Sequence, residues 1–222
     1  MKIIKISIVL LGMLLTSVAF SQRTPAEAIL QIIGSRTNLE TPSDGIEGSM
    51  YIDPEFKYAK FADHNEDFLM RYNVYRDFME VKIKDSVFVL PKNLNYSIRF
   101  RYPEKEYKIF QFDEGNTGLF VVVKEKESTT ILIKESIKIA PEHQPKNGFD
   151  QYKPPTFKRE SDKLYVGYKN NTAELLPSNK RDILALFGAK AKEVESQAKK
   201  MKWNFNRNGD LIEIFNYYYS LS

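Results

Sequence analysis

The chain of 222 residues carries 33 basic and 29 acidic side chains, a formal net charge of +4 at pH 7, and no cysteine. The lack of cysteine excludes disulfide bonds, thiol catalysis and lipid attachment at a cysteine. A net charge this close to zero gives no reason to expect binding to a polyanion, and we expect no nucleic-acid partner.

Residues 1–21 have the pattern of a secretory signal peptide. Two lysines precede an apolar run over residues 6–15, and Ala19 and Ser21 follow at positions typical of a cleavage site. The apolar run is shorter than the roughly 20 residues that a membrane-spanning helix needs. We therefore expect an exported protein, periplasmic or secreted, that is not an integral membrane protein after cleavage. An uncleaved anchor is the alternative.

Residues 22–47 are predicted to form a short helix followed by a loop-rich arm. Thr24 is a suitable N-cap, Pro25 suits the first helical position, and apolar residues recur at helical spacing up to Gly34. The rest of this stretch is rich in Thr, Pro, Ser, Asp and Gly, which is the composition of a loop.

Residues 48–176 are predicted to form an antiparallel β domain. The clearest signal lies in residues 69–83, where Met79, Val81 and Ile83 point to one side of a half-buried strand. Similar stretches recur roughly every eight to twelve residues between short turn signals. This spacing predicts a meander that closes into a barrel or folds into a sandwich.

Several segments of this domain carry predictions of their own. Residues 48–53 and 56–61 are predicted as two short strands around Pro54. Residues 119–123 are apolar on both faces and should form a central strand that is covered on both sides. Asn73 is expected at a turn or bulge, because asparagine tolerates left-handed backbone dihedrals.

The later part of the domain is less regular. Residues 129–139 are predicted as one alternating strand. Residues 141–160 contain several Pro and Gly residues and are predicted to be an irregular connection without a strand. Residues 164–168 are predicted as a further strand, which Leu175 and Leu176 extend.

Residues 177–222 are predicted to form a small tail of two or three helices, so the fold class is mainly β with C-terminal α. Asn179 can cap the first helix, with Asp182 three residues further on. A second apolar stripe at helical spacing runs through residues 191–201. Residues 210–222 are predicted as a third helix, although their Tyr, Phe and Ile content also fits a strand.

Five stretches together resemble one group of proteins. They are Gly-Ser-x-Tyr at 48–51, Arg-Tyr-Asn-x-Tyr-x-Asp-x-Met-Glu at 71–80, Lys-Arg-x-x-Asp-Lys-x-Tyr at 158–165, Lys-Arg-Asp-Ile-Leu-Ala-Leu-Phe at 180–187, and Asp-Leu-Ile at 210–212. In this order, after a signal peptide, they are similar to a family of uncharacterised exported β-rich proteins common in Bacteroidota-type genomes. The resemblance covers most of the chain and implies export. The family has no known activity, so the resemblance assigns neither a function nor a functional residue to this chain.

The polar residues of the strands around 71–80 form the candidate binding site. Its members are Arg71, Tyr72, Asn73, Tyr75, Arg76, Asp77 and Glu80. In one interpretation they line an exposed strand face that recognises an anionic or polar partner, such as an envelope protein or envelope component. In the other, which we favour, opposite charges on adjacent strands pair across the sheet, and each pair contributes a few tenths to about 1 kcal/mol.

Residues that carry chemistry in enzymes are sparse in this sequence. It has two histidines, His64 and His143, and no serine in a Gly-x-Ser-x-Gly elbow. The acidic loops at 63–67 and 113–117 offer oxygen ligands for calcium, but neither matches the EF-hand pattern, and a second cluster of zinc ligands is missing. We therefore predict no catalytic residue, no metal site and no cofactor.

The helical end of the chain is basic. The residues concerned are Lys190, Lys192, Lys199, Lys200, Lys202 and Arg207. They are predicted to form a solvated helix face, and the alternative is contact with phosphate-bearing envelope lipids or with polysaccharide. Trp203 and the aromatic residues after it are predicted to attach the last helix to the sheet, with a partner-docking patch as the alternative.

These features predict a non-catalytic protein of the periplasm or cell envelope that acts by binding a protein or an envelope component. The alternative is a β-barrel that carries a small apolar ligand such as a lipid. A hydrolase that depends on one of the two histidines is the third hypothesis. The sequence predicts no oligomeric state.

Overall fold

The computed structural model describes residues 45–62, 64, 66–92, 96–126, 129–147 and 149–221. The predicted signal peptide at 1–21 and the helix and most of the arm predicted within 22–47 lie outside these residues. Within them the chain is mainly β and ends in helices, as predicted.

The strands of the described residues follow one another in short antiparallel steps. In chain order they are β1 (Lys57–Phe61), β2 (Asp67–Asn73), β3 (Phe78–Ile83), β4 (Ser86–Val89), β5 (Ser97–Phe100), β6 (Lys105–Phe112), β7 (Asn116–Lys126), β8 (Thr129–Lys134), β9 (Ile137–Ala140), β10 (Thr156–Arg159), β11 (Lys163–Tyr168) and β12 (Ala173–Leu175). Among these, ten form one sheet in the order β12-β11-β8-β7-β6-β5-β1-β2-β3-β4, and β9 pairs with β10.

The large sheet is open, with β4 and β12 at its edges, and it bends on itself. Two strands separate β2 from β6 in the sheet, yet the ring centroids of Tyr72 in β2 and Tyr107 in β6 lie 4.9 Å apart. Because neighbouring strands are spaced about 4.8 Å apart, these rings can meet only across the inside of a fold. The sheet therefore resembles a sandwich made by bending rather than a closed barrel.

The connection between β4 and β5 agrees with this bend. Residues 90–96 join two strands that lie four positions apart in the sheet. The bend shortens the path, and the two arms of the sheet enclose the main core, where Phe61, Met79 and Ile98 are fully buried.

Strand β7 lies in the interior of the sheet and is covered on both faces, as its sequence predicts. Leu119 belongs to the main core, whereas the next residue, Phe120, packs on the opposite face with Phe110, Leu132 and Tyr165. Continuous apolar sequence is the signature of such a strand because neither face meets water.

The helices form a layer on the part of the sheet that contains β8 and β11. They are α1 (Lys180–Ala185), a 3₁₀ helix (Gly188–Lys190), α2 (Ala191–Met201) and α3 (Asn208–Ser220). The Asn179 side chain accepts a hydrogen bond from the backbone N–H of Asp182 at 2.9 Å, so the predicted cap is confirmed. The third element is a helix rather than a strand, and Ile214 and Phe215 bury its apolar face against the sheet. No helix of the described residues is long and apolar enough to cross a membrane.

The strand predicted at 48–53 is wrong, because these residues form a loop. The Met50 carbonyl accepts from the backbone N–H groups of Val74 and Tyr75, which lie in the turn between β2 and β3 and not in a strand. Gly48 has a φ of +85°, and a Cβ there would lie 3.1 Å from the Phe157 carbonyl oxygen. The chain crosses another segment closely at this point, which requires glycine and interrupts any strand.

Three further expectations need correction. Residues 129–139 form two strands rather than one, because β8 and β9 belong to different sheets. The connection predicted at 141–160 contains β10, which pairs with β9. Asn73 does lie next to a turn, as the last residue of β2 and with its side chain bonded to the Arg76 N–H, but the left-handed residue of that turn is Asp77, with a φ of +56°.

Candidate binding site

Arg71 is enclosed by its neighbours. It lies opposite Glu80 in the β2–β3 register, and its Nε and Nη2 donate to Glu80 Oε2 at 3.1 and 2.7 Å. Nη1 donates to the Pro54 carbonyl at 2.9 Å. The guanidinium carbon lies 3.9 Å from the ring centroid of Tyr51 and 4.3 Å from that of Phe56. Two aromatic rings and three donor groups of this cation are thus engaged within the chain.

Glu80 and Asn73 complete this cluster beneath the 50–56 loop. Glu80 is 3% exposed and accepts from the Tyr51 hydroxyl at 3.1 Å and from Asn73 Nδ2 at 3.0 Å. Burial, followed by the charge of Glu80, raises the pKa of Tyr51 to about 12. The Arg71–Glu80 pair matches the structural interpretation of these charges. The alternating sequence pattern of the strands does not predict the loop that covers this pair.

Asp77 lies at the centre of a second cluster, which joins distant parts of the fold. Its Oδ1 accepts from the Tyr72 hydroxyl at 2.6 Å, from Lys134 Nζ at 2.6 Å and from the Leu119 backbone N–H at 3.2 Å. Its Oδ2 accepts from Lys92 Nζ at 3.1 Å. The turn between β2 and β3 is thereby attached to β7 and β8.

A buried carboxylate, Glu135, continues this polar network. It accepts from the Tyr107 hydroxyl at 2.7 Å and from Lys105 Nζ at 2.6 Å. Burial, followed by the neighbouring carboxylate charge, raises the pKa values of Tyr72 and Tyr107. Burial lowers the pKa of Lys134, and Asp77 opposes that shift.

A cleft of about 130 Å³ ends at this network. Its lining includes Arg71, Tyr72, Pro103, Lys105 and Tyr107. Ligand sites for small molecules usually measure about 300–1,000 Å³. The cleft is smaller than such a site, and the charges of Arg71 and Lys105 in its lining are already paired with Glu80 and Glu135.

The seven predicted site residues thus separate into different environments. Arg71, Asn73 and Glu80 form one cluster, and Tyr72 and Asp77 belong to the other. The Tyr75 ring packs on the ring of Phe157 with centroids 5.1 Å apart, and the backbone N–H of Arg76 donates to Asn73 Oδ1. The structure does not assemble the seven residues into one face. Recognition of a partner by them stays a prediction.

The two histidines lie in unrelated surroundings. The His64 ring is stacked 5.8 Å from Phe61 and lies edge-on 6.0 Å from Phe68. His143 Nε2 lies 2.6 Å from the Asp150 carboxylate. Among the described residues, no three His, Cys, Asp or Glu side chains are grouped so that they could hold a metal ion.

A groove on the helical layer has a different character. Helix α2 buries Val194 and Ala198 against the core, and its outer face carries Lys192, Ser196 and Lys199 at helical spacing. The groove, called the helical groove below, has a volume of about 450 Å³ and is lined by Lys180, Lys192, Glu195, Ser196, Lys199, Trp203 and Phe205.

The end of α2 fixes the position of Trp203 in the helical groove. The chain turns at Lys202, which has a left-handed φ of +59°. The backbone N–H of Lys202 then donates to the Lys199 carbonyl at 3.2 Å and that of Trp203 to the Ala198 carbonyl at 2.9 Å. These two bonds define a Schellman motif, which reverses the chain and packs the residue after the left-handed position back on the helix.

The charges of the helical groove are unbalanced. Lys180 Nζ donates to Glu195 at 2.6 Å and lies 5.4 Å from the ring centroid of Phe205. Glu195 is the one acidic residue of the lining. The side chains of Lys192 and Lys199 are exposed and form no ion pair or hydrogen bond with a described residue. The sequence identified both lysines and Trp203 separately; their proximity depends on the helix face and its C-terminal motif.

The resemblance to exported Bacteroidota proteins remains a prediction and assigns no role to either cluster or to the helical groove. No family model, no curated protein and no solved structure matches the chain.

Proposed function

We propose that the chain is an exported, non-catalytic protein of the cell envelope that binds an anionic envelope component in the helical groove. One observation carries this proposal: Lys192 and Lys199 line a concave surface beside Trp203 without an internal counter-charge. Cations in a recess attract anions more strongly than scattered surface charges, because the surrounding protein lowers the local dielectric.

The contrast with the β domain supports this choice of site. The charges of Arg71, Asp77 and Glu135 are met by partners within the chain. A partner at those residues would have to break existing ion pairs, whereas a partner at the helical groove would supply a missing charge. The groove therefore offers the larger gain on binding.

The carrier and hydrolase hypotheses have less support. The inside of the bent sheet is filled by core side chains, and the cleft at Tyr72 and Tyr107 holds about 130 Å³, which is too small for a lipid chain. His64 lies against aromatic rings, and His143 is paired with Asp150 in a surface segment.

A sedimentation assay tests the proposal. Mature protein is mixed with washed bacterial envelopes, and the bound fraction is measured for the unmodified chain and for Lys192→Glu/Lys199→Glu. We expect the double variant to bind at least tenfold more weakly, and added salt to weaken binding of the unmodified protein because the lysines are exposed.

The matched control is Lys82→Glu/Lys158→Glu, which makes the same change of net charge at exposed lysines of the β domain. It should bind envelopes as the unmodified chain does. Equal losses in both double variants would show that overall charge, and not the helical groove, determines retention. Lack of retention of the unmodified protein would refute the proposed function.

A further inference from the structure

We infer that the component bound in the helical groove is an acidic polysaccharide, with one sugar ring stacked on Trp203 and anionic groups of successive sugars at Lys199 and Lys192. This inference rests on the proposed function and specifies the ligand class for the same groove. It depends on the combination of a rigidly placed aromatic face with unpaired cations.

The first step is the rigidity of Trp203. The Schellman motif holds its backbone, and its side chain packs partly on the helical core while still lining the helical groove. An aromatic ring held in this way presents an apolar face at little entropic cost. The C–H face of a sugar ring is flat, apolar and similar in width, so the two surfaces fit.

The second step is the placement of charge around that ring. Lys199 and Lys192 lie on one face of α2, about one and three helical turns before Trp203 along the chain, and all three residues line the helical groove. A uronic acid or phosphorylated sugar carries its charge at the rim of the ring, beside the face that stacks. Free phosphate would use the lysines but leave the indole unused.

The third step favours a polymer over a single sugar. Lys200 and Lys202 are also exposed and form no ion pair with a described residue, so the basic surface continues past the end of α2. Each exposed contact contributes little by itself. A chain with regularly spaced charges can engage several of them at once and gain affinity through the increased local concentration.

The experiment uses Trp203 as its own reporter, because it is the single tryptophan of the chain. Intrinsic fluorescence is recorded while tetramers of galacturonate and of mannuronate are added. The fully methyl-esterified forms of the tetramers serve as matched neutral probes. Inorganic phosphate and vesicles of phosphatidylglycerol with phosphatidylcholine test the other sources of anions. We expect a saturable change with at least one acidic tetramer and at least tenfold weaker binding of its ester.

Variants then separate stacking from charge by calorimetry with the acidic tetramer. Trp203→Ala should weaken binding at least tenfold, Trp203→Phe should fall between Ala and the unmodified chain, and Lys192→Glu/Lys199→Glu should abolish it. Thermal unfolding followed by circular dichroism checks that the variants fold. If Trp203→Ala is destabilised, stacking is tested by comparing the affinity of Trp203→Phe with that of the unmodified chain.

The outcomes distinguish this inference from the proposed function. If vesicles or phosphate change the Trp203 fluorescence and neither acidic tetramer does, the polysaccharide is refuted while anion binding in the groove stands. Unchanged affinity in both Trp203 variants would refute stacking. If envelopes do not retain the unmodified protein and no anionic probe binds, both proposals fail.

Discussion

Asp77 connects parts of the chain that are far apart in sequence. Its carboxylate accepts from Tyr72 in the neighbouring strand and from Lys134 and Leu119, which lie 57 and 42 residues further along the chain. Gly118 permits this approach, since a Cβ there would lie 2.9 Å from Asp77 Oδ2 and 3.0 Å from Lys134 Nζ. The Lys134 side chain is 12% exposed, so its charge depends on this carboxylate.

We predict that Asp77→Asn destabilises the protein by about 3–5 kcal/mol at pH 7, because it removes the carboxylate to which the buried Lys134 ammonium donates. Asparagine tolerates the φ of +56°, so backbone strain should contribute little. Urea unfolding measures the loss. Asp53→Asn, which breaks an exposed pair with Lys57, is the control and should cost less than about 1 kcal/mol.

The same variant has a predicted pH dependence. Burial depresses the folded-state pKa of Lys134, and loss of Asp77 depresses it further. A lysine with a depressed pKa binds fewer protons in the folded state than in the unfolded state. The destabilisation caused by its buried charge therefore decreases as pH rises from the folded-state pKa towards the unfolded-state pKa of about 10.4. The deficit of Asp77→Asn relative to the unmodified chain should shrink in that window. A constant deficit, or equal stability at pH 7, would contradict this account of Asp77.

For single residues, the sequence identifies the charged side chains but not all of their partners. The charged set at Arg71, Asp77 and Glu80 is visible, and the Arg71–Glu80 pair follows from strand register. Lys134 as the partner of Asp77 could not be predicted, because the two residues meet only through the bend of the sheet. The hydrogen bond from Tyr51 to Glu80 could not be predicted either, because Tyr51 lies in a loop rather than in a strand.

At the scale of elements, the Schellman motif at the end of α2 positions Trp203 in the helical groove. The left-handed position that ends this helix is usually glycine, but here it is Lys202, with a φ of +59°. A side chain in this conformation costs roughly 1 kcal/mol compared with glycine. The hydrogen bonds of the motif nevertheless hold Trp203 against the helix.

We predict that Lys202→Gly stabilises the protein by about 0.5–1 kcal/mol, because glycine relieves the left-handed strain without disturbing the Schellman hydrogen bonds. The thermal midpoint should therefore rise. Lys200→Gly removes the same charge inside α2 and should destabilise by about 1 kcal/mol, since glycine is a poor helix former. A lower thermal midpoint for both variants would show that the left-handed residue contributes no strain.

Elements with strong local signals were predictable. Asn179 and its cap, the doubly covered β7 and the third helix follow from capping chemistry and apolar periodicity. The loop at 48–53 resembles a strand only through Met50, Tyr51 and Ile52, and the Met50 carbonyl bonds to the turn after β2 rather than to a strand. Strand β10 was missed because it follows two prolines and is stabilised by pairing with β9, a tertiary contact.

The whole molecule depends on a bend that local sequence does not encode. Periodicity predicts strands but not that β5 pairs with β1, and that pairing places Tyr72 against Tyr107. The bend also buries several hydroxyl groups. Burial is the largest cause of the raised pKa values of Tyr51, Tyr72, Tyr96 and Tyr107. The oxygen of Tyr96 has no hydrogen-bond partner among the described residues.

These tyrosines predict loss of stability at alkaline pH. In the unfolded chain they ionise near pH 10, whereas in the folded protein they stay protonated at higher pH. The folded state then binds more protons, so the free energy of unfolding falls as pH rises above about 10, by about 1.4 kcal/mol per pH unit for each such tyrosine. Urea unfolding between pH 8 and about pH 11 should show this slope.

Tyr96→Phe provides the sharpest form of this prediction. The variant removes a buried hydroxyl without a partner, so stability at pH 7 should be kept or should rise by about 1 kcal/mol. It should also reduce the alkaline slope by about 1.4 kcal/mol per pH unit, the share of one tyrosine. Tyr102→Phe, at a side chain that is 82% exposed, should change neither quantity. An unchanged slope in Tyr96→Phe would mean that Tyr96 ionises alike in both states, contrary to its burial inside the bent sheet.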